Sequence, residues 1–384
     1  MYDGHLMQRC IEWLLTFQNG GIMSKCITVH YDSKPIYDII IEHDFCKLPE
    51  CIHNLGIKGR KLCIITDSNV GKLYCEAVKN ELEKTDNTVM SYTFEAGEEH
   101  KNLDTVQDIY EFLIQNRFDR NDILVALGGG VVGDLTGFTA ASYLRGIDFI
   151  QIPTSLLAQV DSSIGGKTGV DFRAYKNMVG AFHQPKLVYM NTCVLKTLDK
   201  RLFNSGFGEI LKHGLIKDMA YFQWLDDNSS KINALDNHAL EEMIAKSCNI
   251  KRVVVENDPT EKGERALLNF GHTLGHAIEK LTNFSLYHGE CVVLGMIAAL
   301  NICVSKKFIS TLEYQKIIDT FKSYDFSLTV NGISKEDIIR VSKNDKKMDS
   351  GQIKFILLKQ CGEAYIDKTI TDDDMRKALD GMIQ

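Results

Sequence analysis

Short β-branched hydrophobic runs alternate with helical stretches in the first half of the chain, from about residue 60. The runs cover residues 61–68, 88–94, 122–130, 148–155 and 186–192, and residues 103–116 show one of the intervening helical patterns. Apolar runs of this length, separated by helices, indicate βαβ units and a mostly parallel sheet.

The pattern changes after about residue 200, where strand signals nearly vanish. Long helical patterns follow in residues 239–257, 265–281 and 291–308, and only residues 351–367 resemble a hairpin. We therefore predict an α/β fold in which a Rossmann-like parallel-sheet domain, residues 23–200, precedes a mostly α-helical domain, residues 201–384. The site is expected in the cleft between them. Residues 1–22 are interpreted as an N-terminal extension, because Met23 begins a more ordinary protein start.

Composition narrows the class of protein. With 384 residues, 44% hydrophobic and 25% charged, the chain is typical of a globular protein of two domains. A net charge of −7 argues against a general nucleic-acid binder. Eleven cysteines without a CxxC pair indicate thiols in a reducing compartment. The apolar run from Cys291 is short for a membrane span and no signal peptide is recognised, so we expect a cytoplasmic protein without a membrane partner.

The first candidate motif is the glycine-rich turn "VALGGGVVGDLTG". Gly128, Gly130 and Gly133 form G-x-G-x-x-G between a strand and a helix, where backbone N–H groups can approach a pyrophosphate. The alternative is a turn without a ligand. The acid expected about 20 residues later is not obvious, so the unit is not a standard Rossmann fingerprint. Asp67 and Asn69 follow an earlier strand and offer further nucleotide contacts or, alternatively, only a turn.

A second stretch, "DSSIGGKTG", resembles a phosphate-binding P-loop. Asp161 stands where that loop needs its first glycine, which argues against an ATPase or kinase. Gly165, Gly166 and Lys167 could still hold one phosphate.

Two histidines four residues apart raise the question of a metal site. Arg265, Asn269, His272 and His276 recur at spacings of four, three and four, which predicts one face of one helix. Such a polar stripe is not a core face, and an exposed face would more commonly carry Lys and Glu. The stripe therefore predicts a functional site.

Further ligands for a metal ion come from two other helices. His288 precedes an apolar helix, and Glu209 is predicted to start a helix with Lys212 one turn on. The alternative for the latter pair is a surface ion pair. Catalytic metal sites commonly have three protein ligands, so we expect one glutamate and two histidines on one divalent ion. HExxH is absent from the sequence, which argues against a zinc peptidase.

Six motifs together resemble one family, 3-dehydroquinate synthase. They are "GGGVVGDLTGFTAASYLRG", "IPTSLLAQVDSSIGGKTGVD", "KNMVGAFHQP", "GEILKHG", "RALLNFGHTLGHAIE" and "HGECVVLGM", in the family's order from about residue 128 to 296. The resemblance implies an NAD- and divalent-metal-dependent lyase (Zn or Co) of the shikimate pathway. Such an enzyme converts 3-deoxy-D-arabino-heptulosonate 7-phosphate to 3-dehydroquinate and phosphate, using NAD transiently.

The resemblance also implies a role for individual residues. The metal ligands would be Glu209, His272 and His288. The NAD contacts would be Asp67, Asn69, Glu98, Lys101, Gly129, Gly130, Val131, Val132, Gly133, Asp134, Thr154, Ser155, Lys167, Lys176 and Thr197. The catalytic residues would be Asp161, Lys167, Lys212, Arg265, Asn269 and His276, and the substrate-binding residues Arg145, Asn177, Lys251 and Lys347, the last chosen over Lys346. Arg145 would reach a neighbouring subunit's site, which implies a homodimer.

Two residues depart from the family pattern, and both departures are local. Tyr175 stands where many members have glycine, and Gly208 where alanine is common.

Three rival functions remain. They are another sugar-phosphate cyclase, a metal-dependent NAD polyol dehydrogenase and a non-catalytic NAD- or metal-binding regulator. Asp134, Arg265 and Asn269 argue against the first, and the lysine-rich phosphate pocket argues against the second. The intact metal ligands and Lys167 argue against the third rival, because a non-catalytic regulator would not need the whole set.

Overall fold

A seven-stranded, mainly parallel sheet forms the first half of the protein. The computed structural model describes residues 25–173, 175–283, 285–343, 348–349 and 352–384. The strands of this sheet are β1 (Lys25–Tyr31), β2 (Lys34–Glu42), β3 (Lys61–Asp67), β4 (Thr88–Phe94), β5 (Ile123–Gly128), β6 (Asp148–Pro153) and β9 (Leu187–Asn191). Their order is β1-β2-β9-β6-β5-β3-β4, with only β1 antiparallel to its neighbour. All five predicted runs are strands of this sheet, which confirms the α/β prediction.

Helices cover both faces of the sheet. They are α1 (Leu48–Asn54), α2 (Glu76–Leu82), α3 (Leu103–Gln115) and α4 (Gly130–Ser142). Side chains alternate along β3, so that Leu62 and Ile64 belong to one hydrophobic cluster and Cys63 and Ile65 to another. Burial on both faces explains why these strands are continuous apolar runs rather than alternating ones.

Two antiparallel hairpins were not predicted. The first is β1–β2, which joins the sheet through the parallel pairing of β2 with β9. The second, β7 (Lys167–Phe172) and β8 (Tyr175–Phe182), lies in the chain between β6 and β9 but outside their sheet. It packs on α4, where a Cβ on Gly137 would come 2.4 Å from Thr168 Cγ2.

The second half is helical, as predicted. Its helices are α5 (Lys200–Lys217), α6 (Met219–Asp227), α7 (Ser229–Asn233), α8 (Asn237–Asn257), α9 (His272–Leu281), α10 (His288–Ser305), α11 (Thr311–Ser323), α12 (Lys335–Ser342) and α13 (Asp372–Ala378). The short strands are β10 (Met348–Asp349), β11 (Gln352–Ile353), β12 (Phe355–Gln360) and β13 (Glu363–Asp367). The last two form the predicted hairpin.

Helix α10 is the central helix of the second half. By length and composition it could cross a membrane, but 72% of its apolar window is buried inside the protein, as in a core helix. It belongs to a hydrophobic cluster that also contains Ile39 and Val188 of the sheet and Phe207 of α5. The core is therefore continuous between the two halves, and the boundary at residues 200 and 201 stays a prediction.

Candidate active site

Three helices bring the predicted metal ligands together at close backbone contacts. Glu209 lies inside α5, whereas His272 and His288 are the first residues of α9 and α10. A glycine adjoins each ligand: Gly208 and Gly271 precede Glu209 and His272, and Gly289 follows His288. A Cβ on these glycines would come 2.9 Å from the Gly289 carbonyl oxygen, 2.6 Å from that of Val292 and 1.9 Å from that of Ser205, respectively. The absence of a side chain next to each ligand thus lets the helices approach closely.

The ligand atoms surround a common point. Oε1 of Glu209 lies 3.6 Å from Nε2 of His272 and 3.5 Å from Nε2 of His288. Bond lengths of about 2.0–2.2 Å in a tetrahedral zinc site place ligand atoms about 3.4 Å apart. Oε1 is buried and accepts no hydrogen bond among the described residues, and a buried carboxylate oxygen without a partner is costly. The donor set therefore fits a divalent metal ion.

Neighbouring groups orient two of these ligands. Nδ1 of His272 lies 3.1 Å from the Phe270 carbonyl oxygen, which places the proton on Nδ1 and the lone pair that can bind a metal on Nε2. Lys212, which is 1% exposed, pairs with Oε2 of Glu209 and so turns Oε1 toward the histidines. Burial alone would raise the pKa of Glu209, but Lys212 and His288 outweigh it and hold that pKa well below its usual range.

His276 lies beside the same point. Its ring centroid is 5.0 Å from that of His272 and 5.7 Å from that of His288. The three histidines therefore form a second set of donors within 4.8 Å of one another. Glu209 Oε1 is a buried anionic oxygen without a hydrogen-bond partner among the described residues, so a cation there would stabilise it more than it would stabilise the neutral His276 ring. We therefore retain Glu209, His272 and His288, and not His276, as the predicted ligands.

The prediction of one continuous helix from Arg265 to His276 is wrong. Residues Glu264–Asn269 form a 3₁₀ helix, and α9 begins only at His272. Gly271 separates them in a left-handed conformation, with φ +81°, which breaks the helix. Of the four polar residues, His272 and His276 lie beside each other, with ring centroids 5.0 Å apart. A second correction concerns Glu209, which lies in the middle of α5 rather than at its start.

A group of buried cations adjoins the metal site. Nζ of Lys251 contacts the carbonyl oxygen of Asp161 at 2.6 Å and also its carboxylate. Burial lowers the pKa of Lys251, whereas the pKa of Asp161, which burial alone would raise, is held at about 2 by Lys251. Asp161 also offers a carboxylate oxygen within 4.8 Å of Glu209 and His213 donor atoms. Substrate anions at this place would meet positive charge shielded from water.

Arg265 is clasped by backbone carbonyls rather than by carboxylates. Its guanidinium donates to the carbonyl oxygens of Pro259 at 2.7 Å and Gly165 at 3.3 Å. A Cβ on Gly165 would come 2.5 Å from Nη2 of Arg265, and one on Gly166 would collide with Gln184. These two glycines therefore leave space for the side chains of Arg265 and Gln184. In a phosphate-binding loop, the glycines instead let the backbone approach the phosphate.

Lys167 begins β7 and reaches the second half of the protein. Its Nζ pairs with Glu261, whose Oε1 accepts a hydrogen bond of 3.0 Å from Nδ2 of Asn269. Glu261 thus joins two predicted catalytic residues, although the sequence analysis did not single it out. Its position in an ordinary-looking "DPTEKGE" turn gave no pattern from which to find it.

The predicted nucleotide-binding residues meet at the carboxyl edge of the sheet. From β3 the chain passes to β4 on one side and then to β5 on the other, so β3 and β5 flank a topological switch point. Ligands of open α/β sheets bind at such a crevice. Asp67 ends β3, and Gly129 precedes the N-terminus of α4. Asp67 also caps its own turn by accepting from the N–H groups of Asn69 and Val70 at 2.9 and 2.8 Å.

Other predicted NAD contacts border this crevice. Thr154 follows β6 and donates its N–H to the Gly128 carbonyl oxygen at 2.9 Å, and Ser155 Oγ would lie 3.5 Å from a Cβ on Gly129. The remaining glycine-turn residues, Gly130, Val131, Val132 and Gly133, form the first turn of α4. Thr197 hydrogen-bonds to Tyr74.

The structure joins residues that the prediction had divided between NAD and substrate. Nζ of Lys101 donates to Asp134 Oδ2 at 2.6 Å and to Asn177 Oδ1 at 2.7 Å. Burial raises the pKa of Asp134, and Lys101 counteracts this only in part. On the same hairpin, Lys176 lies 3.7 Å from Glu98 Oε1 and 3.5 Å from Glu279 Oε1.

One predicted substrate contact is not brought into the site, and another lies outside the described residues. Arg145 is exposed beyond the end of α4, where Leu144 and Arg145 both have positive φ. Its contribution to a neighbouring subunit stays a prediction, as does the homodimer. Lys347, like Lys346, lies outside the described residues.

Two buried residues beside the metal site were missed. Glu279 follows His276 by three residues in α9, and His213 follows Glu209 by four in α5. Nδ1 of His213 is 2.8 Å from Ser247 Oγ, and burial together with Lys212 lowers its pKa to about 3. His213 is therefore a neutral imidazole. Helical spacing was the available signal for both: Glu279 is three residues from the predicted catalytic residue His276, and His213 is four from the predicted ligand Glu209.

Solved structures confirm the fold. A 2-epi-5-epi-valiolone synthase from Streptomyces hygroscopicus subsp. jinggangensis 5008, with NAD⁺ and Zn²⁺ bound, is 24% identical at a TM-score of 0.82, covering 94% of this chain and 98% of that one. A 2-deoxy-scyllo-inosose synthase complexed with carbaglucose-6-phosphate, NAD⁺ and Co²⁺ has the same identity and TM-score, with 92% and 100% covered. An iron-containing alcohol dehydrogenase is more distant, with 14% identity, a TM-score of 0.65, and 93% and 98% covered.

Sequence comparisons identify the family. The family model for the 3-dehydroquinate synthase N-terminal domain matches residues 91–205, and that for the C-terminal domain matches residues 206–348. The 3-dehydroquinate synthase of Acetivibrio thermocellus is 44% identical over 344 residues, which are 89% of this chain and 95% of that protein. That of Ruminiclostridium cellulolyticum is 41% identical over 343 residues, with the same coverage of each chain. The chain therefore belongs to the 3-dehydroquinate synthase family.

Proposed function

We propose that the protein is a 3-dehydroquinate synthase that converts 3-deoxy-D-arabino-heptulosonate 7-phosphate to 3-dehydroquinate and phosphate. The observation that carries the proposal is the convergence of Glu209, His272 and His288 on one point beside the buried lysines 212 and 251. Membership of the family supplies the reaction, and this arrangement supplies the groups that it needs.

The cofactors would occupy the two halves of the site. Glu209, His272 and His288 would hold one divalent metal ion, Zn²⁺ or Co²⁺, and the carboxyl edge of β3 and β5 would hold NAD. When bound, NAD would supply a reversible hydride acceptor for the C5 hydroxyl carbon, and the metal ion would supply a Lewis acid for that hydroxyl. The solved relatives that bind NAD⁺ with Zn²⁺ or Co²⁺ support this pair of cofactors.

Positive side chains would bind the two anionic ends of the substrate. The protein as a whole carries a net charge of −7, so the positive potential must be local. Lys212, Lys251 and Arg265 are all at most 5% exposed, and there a charge pair is screened less than at the surface. Lys167 adds a fourth cation, and its pairing with Glu261 would be exchanged for a substrate anion.

His276 and Asn269 would act at the departing phosphate. Oxidation at C5 acidifies the adjacent C–H, and the substrate's own phosphate would accept that proton during β-elimination. The His276 ring lies beside those of His272 and His288, and Asn269 is joined to Lys167 through Glu261, so both would hydrogen-bond the phosphate as it leaves. Ring opening and the intramolecular aldol closure would then follow mainly because the same side chains hold the chain in one conformation.

Product analysis tests this function. The protein would be incubated with the heptulosonate phosphate, catalytic NAD and Zn²⁺ or Co²⁺, while phosphate and dehydroquinate are followed. The expected result is equal release of both without net NADH. No phosphate release with any metal would refute the proposal, and net NADH would indicate a polyol dehydrogenase. Turnover of a hexose 6-phosphate in place of the heptulosonate would indicate another cyclase.

A further inference from the structure

Glu279 is a buried carboxylate that has no assigned role in the proposed reaction. It is 9% exposed and lies seven residues after His272 in α9, which places both on one face of the helix. Its Oε2 lies 3.6 Å from Nδ1 of His288, and its Oε1 lies 3.5 Å from Nζ of Lys176. A carboxylate so buried needs such partners, because an unpaired buried charge is costly.

The other nitrogen of His288 is the one that faces the predicted metal. Nε2 lies 3.5 Å from Oε1 of Glu209, on the side of the ring opposite to Glu279. Glu279 and Glu209 therefore contact the two ring nitrogens of the same imidazole. Metal-bound histidines generally donate their second N–H to a carboxylate or carbonyl, which fixes the tautomer and raises ligand basicity.

His272 and His288 differ in how this second nitrogen is held. His272 uses the Phe270 carbonyl oxygen, two residues away in its own chain segment. His288 is the first residue of α10, and its second nitrogen instead meets a carboxylate from α9. The orientation of His288 therefore depends on a side chain of another helix.

We propose that Glu279 is a positioning residue that accepts the Nδ1 proton of His288 in a hydrogen bond and so directs Nε2 toward the metal. This inference rests on the proposed function, since it assigns a role at the same metal site. Lys176 compensates the charge of Glu279 and keeps its second oxygen away from the metal. Removal of the carboxylate should weaken metal binding while leaving the three ligands in place.

The test measures metal affinity and geometry rather than turnover. Glu279→Gln and Glu279→Ala would be prepared without metal and titrated with Zn²⁺ and Co²⁺ against a chromophoric chelator. Loss of the partner of a ligating histidine costs about 10–100-fold in metal affinity, so we expect about 10-fold for Gln and up to about 100-fold for Ala. The Co²⁺ absorption bands should also shift, because the His288 ring turns.

A matched control distinguishes this role from a structural one. Glu290→Gln is the same substitution two residues after His288, and glutamine preserves the capping box that Glu290 forms at the start of α10. This variant should bind both metals as the unchanged protein does. If Glu279→Ala also kept its affinity and Co²⁺ spectrum, the positioning role would be refuted, whatever its activity.

The metal site itself is checked separately. His272→Ala removes a predicted ligand and should abolish tight Co²⁺ binding. If His272→Ala bound Co²⁺ normally, the metal site and the proposed function would fail together. Loss of binding in His272→Ala with unchanged binding in Glu279→Ala would refute only the role of Glu279.

Discussion

The backbones of α9 and α10 lie too close together at Gly295 to accommodate a side chain there. A Cβ there would come 1.8 Å from the Gly271 carbonyl oxygen and 2.8 Å from the Gly275 backbone nitrogen. Real Cβ atoms essentially never come within 3.0 Å of such atoms, so Gly295→Ala must separate the two backbones by about 1.2 Å. Both helices begin with a predicted metal ligand, and a metal site holds its ligand distances to within about 0.2 Å.

The expected effect on stability is smaller than the effect on the site. Overpacking a core costs about 1–3 kcal/mol, and the better helix propensity of alanine offsets up to about 1 kcal/mol of this. A misplacement of about 1 Å in a catalytic site can cost about 100-fold in rate. We therefore expect Gly295→Ala to fold, with at most a modest loss in the free energy of unfolding, but to lose bound metal and at least about 99% of its activity.

Metal content after dialysis, thermal unfolding of the metal-free protein and kcat/KM measure these three quantities. Ile302→Val serves as the control, because it trims the same helix two turns further on and costs about 0.5–1.5 kcal/mol without bringing backbones into collision. The control should keep its metal. Gly295→Ala with a full complement of metal and a loss of stability alone would refute the idea that this contact sets the distance between the ligands.

Three further predictions follow from other contacts. His272→Ala should lose bound metal, whereas His276→Ala should keep it and turn over slowly; equal loss of metal in both would show that the two roles are wrongly divided. Burial alone would raise the pKa of Asp258, but three backbone N–H groups outweigh it and lower that pKa. The carboxylate therefore stabilises the fold above its unfolded pKa, and this contribution is lost as the pH falls through the lower folded pKa. Asp258→Asn should then cost about 1–3 kcal/mol at pH 7, and urea unfolding should show the difference shrinking below about pH 4; a constant difference would contradict the reasoning. Lys101→Met should cost up to about 3 kcal/mol because it leaves Asp134 without its counter-charge, and chemical denaturation should show that adding Asp134→Asn recovers part of the loss, whereas additive losses would argue against the pairing.

The parallel sheet could be predicted from sequence because its central strands, such as β3 and β5, are buried on both faces and the edge strand β4 is rich in β-branched and aromatic residues. Residues Thr88–Phe94 form a strand with the predicted bounds, and each of the other four runs differs from its strand by one or two residues at an end. The hairpins β1–β2 and β7–β8 could not be predicted in this way. Strand β8 is largely exposed and contains Gly180, so its apolar pattern is weak, and its pairing with β7 depends on contacts across the turn.

The sequence predicted which residues form the candidate site, but it did not predict the local backbone structure that holds them. Spacing alone suggested one helix through Arg265 and His276, whereas the left-handed Gly271 ends that regularity. A glycine within a helical pattern does not disclose its φ, because that angle is set by the packing of α9 against α10. Glu261 and Glu279 were missed for a related reason: their partners, Lys167 and His288, become neighbours only in the folded chain.

The β7–β8 hairpin carries three of the predicted ligand contacts outside the seven-stranded sheet. Lys167, Lys176 and Asn177 all belong to this one insertion, whose strands pair with each other and, through a single bridge from Asp171, with Asn102. A change in its length or sequence would leave the order of the seven strands untouched. Variation at the exposed positions of this hairpin would therefore change the predicted ligand contacts while the strands of the sheet stay in place.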